Sequence, residues 1–341
     1  LNNNILIYFY IYVIKMVSLK VINYNKTKGL TYSNLTYLIN INYEHSLNVV
    51  NAIRRTIISK VPTLAFEPSI MEFTTNSSVF NNDQLRERFS QLPILNYDTN
   101  TYFINPISDY LEYVNSNEYH NTNTVSLYIN AKNTTNDIIS ITTNDIKYQI
   151  NNKTVDNPYN KDYPIILVKL KKDQEISCKL SGVIGIGKQD NIWSPVSNCI
   201  LTYDNENELK LSVNSQGQIN EFVIIDKAID NIIFNLNLNT NKIKSYISTV
   251  TDKIDSFNIT LDDSTIGKLL NDQLQLDKRV KYAGIYQPSY LESYIKIKID
   301  LDNKYSIKEI DSILEENNNK LIKIYQELKQ LNLEQMKKYI K

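Results

Sequence analysis

The sequence predicts an α+β chain of two modules, the first of them interrupted by a β-rich insertion. Three observations carry that expectation. Three separated segments repeat apolar residues at helical spacing, residues 62–200 between the first two carry mainly strand signals, and the chain from residue 257 runs strand, helix, strand, strand, helix. At 341 residues the chain exceeds what one ordinary core fills, which also favours two modules. Hydrophobic residues make up 42% and charged residues 22%, close to globular averages, so disorder does not account for the scarcity of Gly. The excess of Asn, Ile, Lys and Tyr fits a genome rich in A/T codons.

Residues 5–14 read ILIYFYIYVI and precede the first methionine, Met16. The run is too short to span a bilayer and has no basic region before it, so residues 1–15 are read as upstream or disordered sequence, with a short membrane or partner anchor as the functional alternative. In LNVVNAIRRTIISKV, Leu47, Val50, Arg54, Ile57 and Val61 fall on one stripe at spacings 3, 4, 3, 4, with Arg55 about 100° further round. Pro62 ends that helix, because the residue before a proline is pushed out of helical geometry. VSLYI at 125 and IILVKL at 165 read as strands between Asn/Thr/Asp loops. Phe222, Ile225, Ile229, Ile232 and Leu236 repeat the same spacing, and the polar LNTNK at 238–242 then leads toward a strand in FNITLDD. TIGKLLNDQLQL reads as a helix capped by Asp262, Asp263 or Ser264, YAGIYQP and YIKIKIDL as strands. The closing helix carries a third seam through Ile307, Ile310, Leu314, Asn317, Leu321, Ile324, Leu328 and Leu331. Narrow seams suggest helices packing on one another near 20°; periodicity alone equally allows each helix to lie on a sheet.

The chain looks chemically quiet. With 37 basic and 37 acidic residues it has no global field to hold phosphates, so any DNA contact is indirect. Gly182 and Gly187-Lys188 satisfy the P-loop spacing, but Gln189 stands where Ser or Thr must reach magnesium, and Trp193-Ser194-Pro195 forbids the helix that would face the anion. A loop requiring glycine geometry is the expectation there. Two cysteines, Cys178 and Cys199, support neither a disulfide framework nor a four-ligand zinc site and read as buried thiols. Asp262-Asp263 reads as a helix cap rather than a metal pair, and His45 and His120 lack companions at ligand spacing. No catalytic, cofactor or metal residue is expected.

Laid end to end, the pieces resemble a family. LNVVNAIRRTIISKVPTLAFEPSIMEFTTNSSVFNNDQLRERFSQLPIL, residues 47–95, is similar to the first-helix signature of the alpha-type subunits of cellular RNA polymerases: NALRR, then VPT, an acidic strand, N-[TS]-S-V and R-x-x-x-x-P. The nearest likeness is to the third-largest subunit of RNA polymerase II and the archaeal D subunit, and more distantly to the bacterial alpha N-terminal domain. GIGKQDNIWSPV at 185–196 resembles the family's G-x-G-K-x-x-x-x-W-S-P-V. From 263 onward DSTIGKLL and YAGI resemble D-H-T-L-G-N-L-L and F-A-G-Y of the small partner, the eleventh polymerase II subunit or archaeal L. Ser264 replaces the family histidine, and NYDTNTYF after Leu95 stands where larger relatives often carry a cysteine-rich zinc loop.

The resemblance implies alpha-subunit-like dimerisation modules, two in one chain, with helices packed on small antiparallel sheets. Residues 16–61 and 201–248 make the larger module, 62–200 the insertion, and 249–341 the smaller one. It implies a non-catalytic platform on which the two largest polymerase subunits, and a small assembly subunit, dock. The interface is expected to use Asn51, Arg54, Arg55, Ile57, Val61, Arg88, Phe222, Ile225, Ile229, Thr265, Gly267, Leu270, Leu321 and Leu328. Arg54 is expected to be paired across the interface between the halves, and Arg55 to point away from it toward the second-largest subunit. Fusion of both partners is an arrangement the resemblance associates with large DNA viruses of eukaryotes, which implies an intracellular protein of the host cytoplasm or viral factory, packaged in the virion in some cases, with no membrane partner. The alternative is a stand-alone protein-interaction adaptor built on the same fold.

Overall fold

The computed structural model describes residues 17–26, 33–95, 125–205, 208–247, 257–261, 263–291, 294–305 and 309–340. The apolar run at 5–14, Met16, His120, the NYDTNTYF stretch, Asp262 and Ile307 lie outside them.

The larger module opens with β1 (Val17–Lys26) and β2 (Ser33–Ile41), paired antiparallel from Val17 opposite Ile41. Val17, Leu19 and Val21 are buried while Ser18 and Lys20 are exposed, the alternation of a strand with one face on a core. No strand was expected here from the sequence. Helix α1 (Ser46–Lys60) follows. It buries Val49, Val50, Ile53, Thr56 and Ile57, a broader face than the seam expected, and Leu47 at its start is exposed. Val61 is extended, with φ −79° and ψ 119°, as the following proline requires.

The chain then leaves through β3 (Pro62–Phe66), β4 (Glu72–Asn76) and α2 (Asn82–Ser90). A capping box between Asn81 and Gln84 starts α2. Strands β5 (Val125–Lys132), β6 (Ile139–Thr142), β7 (Ile146–Ile150), β8 (Lys153–Val155), β9 (Ile166–Leu170) and β10 (Glu175–Ile186) complete the insertion. Its main sheet runs β3-β10-β5-β7-β8 with β4 also on β10, and β6 pairs β9 separately. Long β10 is the spine, pairing β3 at one end and β4 at the other along one edge, with β5 on its opposite edge.

The chain returns through β11 (Val196–Asn205) and β12 (Glu208–Ser215), which complete the sheet β1-β2-β12-β11. The sequence boundary at 200/201 therefore falls inside a strand that belongs wholly to the larger module's sheet. Helix α3 (Glu221–Ile247) runs on through LNTNK, where the sequence suggested an end. Asn and Thr there lower helix propensity by only a few tenths of a kcal/mol each, and with no Gly or Pro nothing stops it.

The second module holds β13 (Phe257–Leu261), α4 (Ser264–Gln275), β14 (Val280–Tyr286), β15 (Ile295–Leu301) and α5 (Ile310–Tyr339), in the order expected. Its sheet is β13-β15-β14, with Ile295, Ile297 and Ile299 pointing inward at every second position. Asp263 caps α4 by accepting from the Thr265 backbone N–H at 2.9 Å.

Candidate subunit interface

The helical seams meet. Helices α3 and α5 pack on one another, α5 also lies on β1, and α1 packs against α3, β11 and α4. Both sequence alternatives are therefore realised, helix on helix and helix on sheet. Phe222, Ile225, Ile229, Ile232 and Leu236 are buried on α3, as are Ile310, Leu314, Asn317, Leu321, Ile324 and Leu328 on α5. At one end an aromatic group closes the contact: the Phe222 ring lies 5.4 Å from Tyr24, 6.1 Å from Tyr37 and 6.4 Å from Tyr339 in the last turn of α5.

Polar side chains thread through this apolar contact. On α5, Asn332 Oδ1 accepts from the Tyr37 hydroxyl of β2 at 2.7 Å, while its Nδ2 donates to the Phe222 carbonyl of α3 at 2.9 Å. On α4 the consecutive residues Asn271, Asp272 and Gln273 are all buried. Asp272 accepts from Asn48 Nδ2 at 2.6 Å, and Gln273 accepts from the Tyr43 hydroxyl at 3.0 Å. Gln273 passes the chain of bonds to Asn317 at 3.1 Å, and Asn317 donates to Asp277 at 2.6 Å. Lys60 at the end of α1 pairs with Asp263, and Lys329 of α5 pairs with Asp230 of α3 at 2.6 Å. The Tyr325 hydroxyl donates to the Val49 carbonyl at 3.1 Å. For the buried groups among them, Tyr37, Asp272, Gln273, Asn317, Tyr325 and Asn332, these bonds avoid a cost of about 1–3 kcal/mol each, while the half-exposed ion pairs of Lys60 and Lys329 contribute less.

The two arginines lie otherwise than the helical wheel suggested. Arg54 Nε donates to Asn51 Oδ1 of its own helix at 2.9 Å, and among the described residues it makes no ion pair across the interface. Its charge instead lies near Cys199 of β11, on the sheet side. Half-exposure explains this: the guanidinium keeps water and needs no buried partner. Arg55, expected to point away from the second module, is exposed but borders it, lining a small cleft with Asn48, Asn51, Thr265, Lys268 and Leu269. Ile57 and Val61 are buried. Arg88 is exposed and donates to the Ile166 carbonyl at 3.0 Å, so it braces the insertion. Leu270 is buried, and a Cβ on Gly267 would stand 2.1 Å from Ile295 Cδ1, so α4 lies close on its own sheet there.

The motif residues that resembled a P-loop form a joint. They belong to β10 and the turn after it, and what they need is room rather than unusual backbone angles. A Cβ on Gly185 would lie 2.3 Å from the Trp193 ring, and one on Gly187 would lie 2.0 Å from the Ile58 carbonyl oxygen. Lys188 N–H donates to the Ser59 carbonyl at 2.9 Å. The Thr63 hydroxyl donates to the Trp193 carbonyl at 2.6 Å, and Trp193 Nε1 donates to the Val183 carbonyl at 2.9 Å. Burial pushes both thiols up to about 12, with Arg54 opposing this at Cys199, so each stays a neutral SH at physiological pH. His45 lies half-buried at the start of α1, its ring 5.9 Å from that of Tyr43.

Among the described residues no group of three or more His, Cys, Asp or Glu is placed to hold a metal ion, and no helix is long and apolar enough to cross a membrane. Sequence reasoning missed Tyr37, Tyr43, Asn48, Asp272, Gln273 and Asn332. The readable signal was Asn317 inside an apolar seam and three successive polar residues, Asn-Asp-Gln, inside an otherwise amphipathic helix.

Comparison with known proteins places these elements. A family model described as the RNA polymerase Rpb3/Rpb11 dimerisation domain matches residues 39–236, and a second model of the same description matches residues 256–331. The chain is 28% identical over 310 residues to a DNA directed RNA polymerase subunit of Acanthamoeba polyphaga mimivirus, covering 83% of this chain and 86% of that protein. It is 29% identical over 169 residues to the RNA polymerase II subunit RPB3 of Schizosaccharomyces pombe, covering 48% of this chain and 55% of the relative. Over 184 residues it is 32% identical to RPAC1, a subunit of RNA polymerases I and III of Saccharomyces cerevisiae, covering 47% and 50%. The chain thus spans about half the length of the cellular relatives and most of the viral one.

Proposed function

Since the chain belongs to the family of the RNA polymerase Rpb3/Rpb11 dimerisation domain, we propose that it is a non-catalytic assembly platform of a multisubunit DNA-directed RNA polymerase. In this reading its two modules form an alpha-like pseudo-dimer within one polypeptide, and the outer surface of that pair docks the two largest subunits. One observation carries the reading. The two segments that match the dimerisation models, 39–236 and 256–331, contribute α3 and α5, whose apolar faces bury one another. The tether between them makes pairing intramolecular, at an effective concentration on the order of mM, so the pair forms at any dilution.

The division of labour follows from the chemistry. Nucleotide, magnesium and template are handled by the large subunits, and this chain presents a fixed geometry to them. Exposed Arg55, beside the α1–α4 cleft, is an assembly contact on that surface, where a cation can meet a carboxylate-bearing partner. DNA is met only through the complex, and the protein works inside the cell, in the host cytoplasm or a viral factory if its source is a virus.

The test is purification of the tagged chain from its natural source. Two large subunits bearing a polymerase aspartate motif should co-purify with it, and Arg55→Glu should deplete them without unfolding the chain. Recovery of other partners with no such subunits would replace the platform with an adaptor on the same fold.

A further inference from the structure

Four side-chain donors of the larger module point at four side-chain acceptors of the smaller one. Tyr37 donates to Asn332 at 2.7 Å, Tyr43 to Gln273 at 3.0 Å and Asn48 to Asp272 at 2.6 Å, and Lys60 pairs with Asp263. The arrangement is one-sided. The acceptors sit on α4, its cap and α5, the donors on β2, the turn after it and α1. Between side chains one return contact runs the other way, Lys329 of α5 meeting Asp230 and Asp226 of α3 at 2.6 and 3.7 Å, while Tyr325, Asn332 and Gln335 donate back only to main-chain carbonyls. Asn332 is fully buried and spans two elements of the larger module at once, through Tyr37 and the Phe222 carbonyl.

We propose that this polar set is a pairing code, which makes the larger module accept the smaller module and reject a second copy of itself. The proposal rests on the paired reading given above and adds its selectivity. Apolar seams alone do not discriminate, because Ile and Leu of α3 would pack on another α3 nearly as well as on α5. Like paired with like through these faces loses the code. Two smaller modules would bring Asp263 and Asp272 together without Lys60 and Asn48, the donors matched to them, and an ionised carboxylate only accepts. Two larger modules would bring Asp226 and Asp230 against their own copies, without Lys329. Each buried polar group left unpaired weakens the wrong pair by roughly five- to a hundred-fold, and the penalties accumulate over several groups. A related but separate polymerase module lacking amide or carboxylate acceptors at 272, 273 and 332 is rejected on the same ground.

The experiment uses the full chain with a protease site placed in residues 248–256, cut after folding, and native mass spectrometry of the nicked protein after dilution and re-concentration. The intact code gives larger–smaller pairs alone. Asn48→Leu with Asp272→Leu, and separately Tyr37→Phe with Asn332→Leu, replace both side-chain partners by apolar groups, which leaves no side-chain orphan in the correct pair, the Phe222 carbonyl remaining within helix α3, and removes the penalty from the wrong ones. Each double variant is expected to keep a melting temperature near that of the parent while its like–like species rise at least about tenfold. Unchanged proportions in both variants overturn the code. So does failure of both to fold, because the groups would then serve stability and not choice. Parent halves that separate on nicking overturn the paired reading itself, a different result from either.

Discussion

Strand β10 reaches the helical layer by shedding side chains, whereas α4 and α5 reach it by keeping polar ones. At the first join Gly185 and Gly187 let backbone come against the Trp193 ring and the Ile58 carbonyl, and the bonds that fasten it end on main-chain atoms. At the second join the bonds run largely between side chains, through Tyr37, Tyr43, Asn48 and their acceptors. The chain itself explains the contrast. The insertion leaves and returns through β3 and β10, neighbours in one sheet, so its placement is fixed by strand register and needs no choice of partner. The smaller module is connected once and finds its place by recognition. Close approach of backbone suits a fixed joint; donors matched to acceptors suit a selected one.

The largest blow to this contrast falls on the second join. Phe222→Ala removes a ring from the centre of the Tyr24, Tyr37 and Tyr339 group and is expected to destabilise the protein by about 4 kcal/mol, read by denaturant titration. A loss below about 1 kcal/mol would mean that the seam carries little of the stability. Gly187→Ala attacks the first join. Its Cβ meets backbone that cannot swing aside, so a loss of about 2 kcal/mol is expected, and a neutral result would show the joint to be loose.

Smaller effects separate the two modules by pH. The Asp277 carboxyl, in the smaller module, is held well below the usual carboxylate range by hydrogen bonds from Arg279 and then Asn317. Its contribution is present above the ordinary Asp value of about 3.9 and is lost as pH falls below it toward the depressed value. Asp277→Asn should therefore flatten the acid side of a plot of melting temperature against pH. Glu221, buried at the start of α3 beside Ser33, is pushed up by burial. Its contribution is complete below the ordinary Glu value of about 4.3 and is lost as pH rises through the elevated one, so Glu221→Gln should raise the melting temperature at neutral pH and leave it unchanged in acid. The same response from both variants would remove the distinction. Smallest in stability is Arg55→Glu, expected to change it by no more than about 0.5 kcal/mol while abolishing co-purification of large subunits.

Much of the second join was legible in the sequence and little of its chemistry. The seams of α3 and α5 could be read because apolar spacing reports directly which face is buried, and Phe222, Ile225, Ile229, Leu321 and Leu328 all lie there. Arg54 and Arg55 could not be assigned, because a helical wheel gives the angle between two residues but not which neighbour stands at each angle. The first strands escaped notice, although Val17, Leu19 and Val21 alternate with polar residues, because Asn, Tyr and Thr spread through the segment blur the pattern. The glycines were misread in kind. A sequence shows only that no side chain stands there, and the fold shows whether dihedral freedom or a neighbour's proximity is the reason. In so Asn-rich a chain, Asn332 is one asparagine among many until its two partners are seen.

Among the described elements α5 is the most C-terminal, yet it covers β1, the most N-terminal of them, and seals the Phe222 side of α3. On the ribosome the larger module must therefore wait with an apolar flank bare until α5 emerges. A nascent chain that stalls before α5 would display that flank to chaperones and proteases, so the order of translation exposes chains that lack this helix to removal.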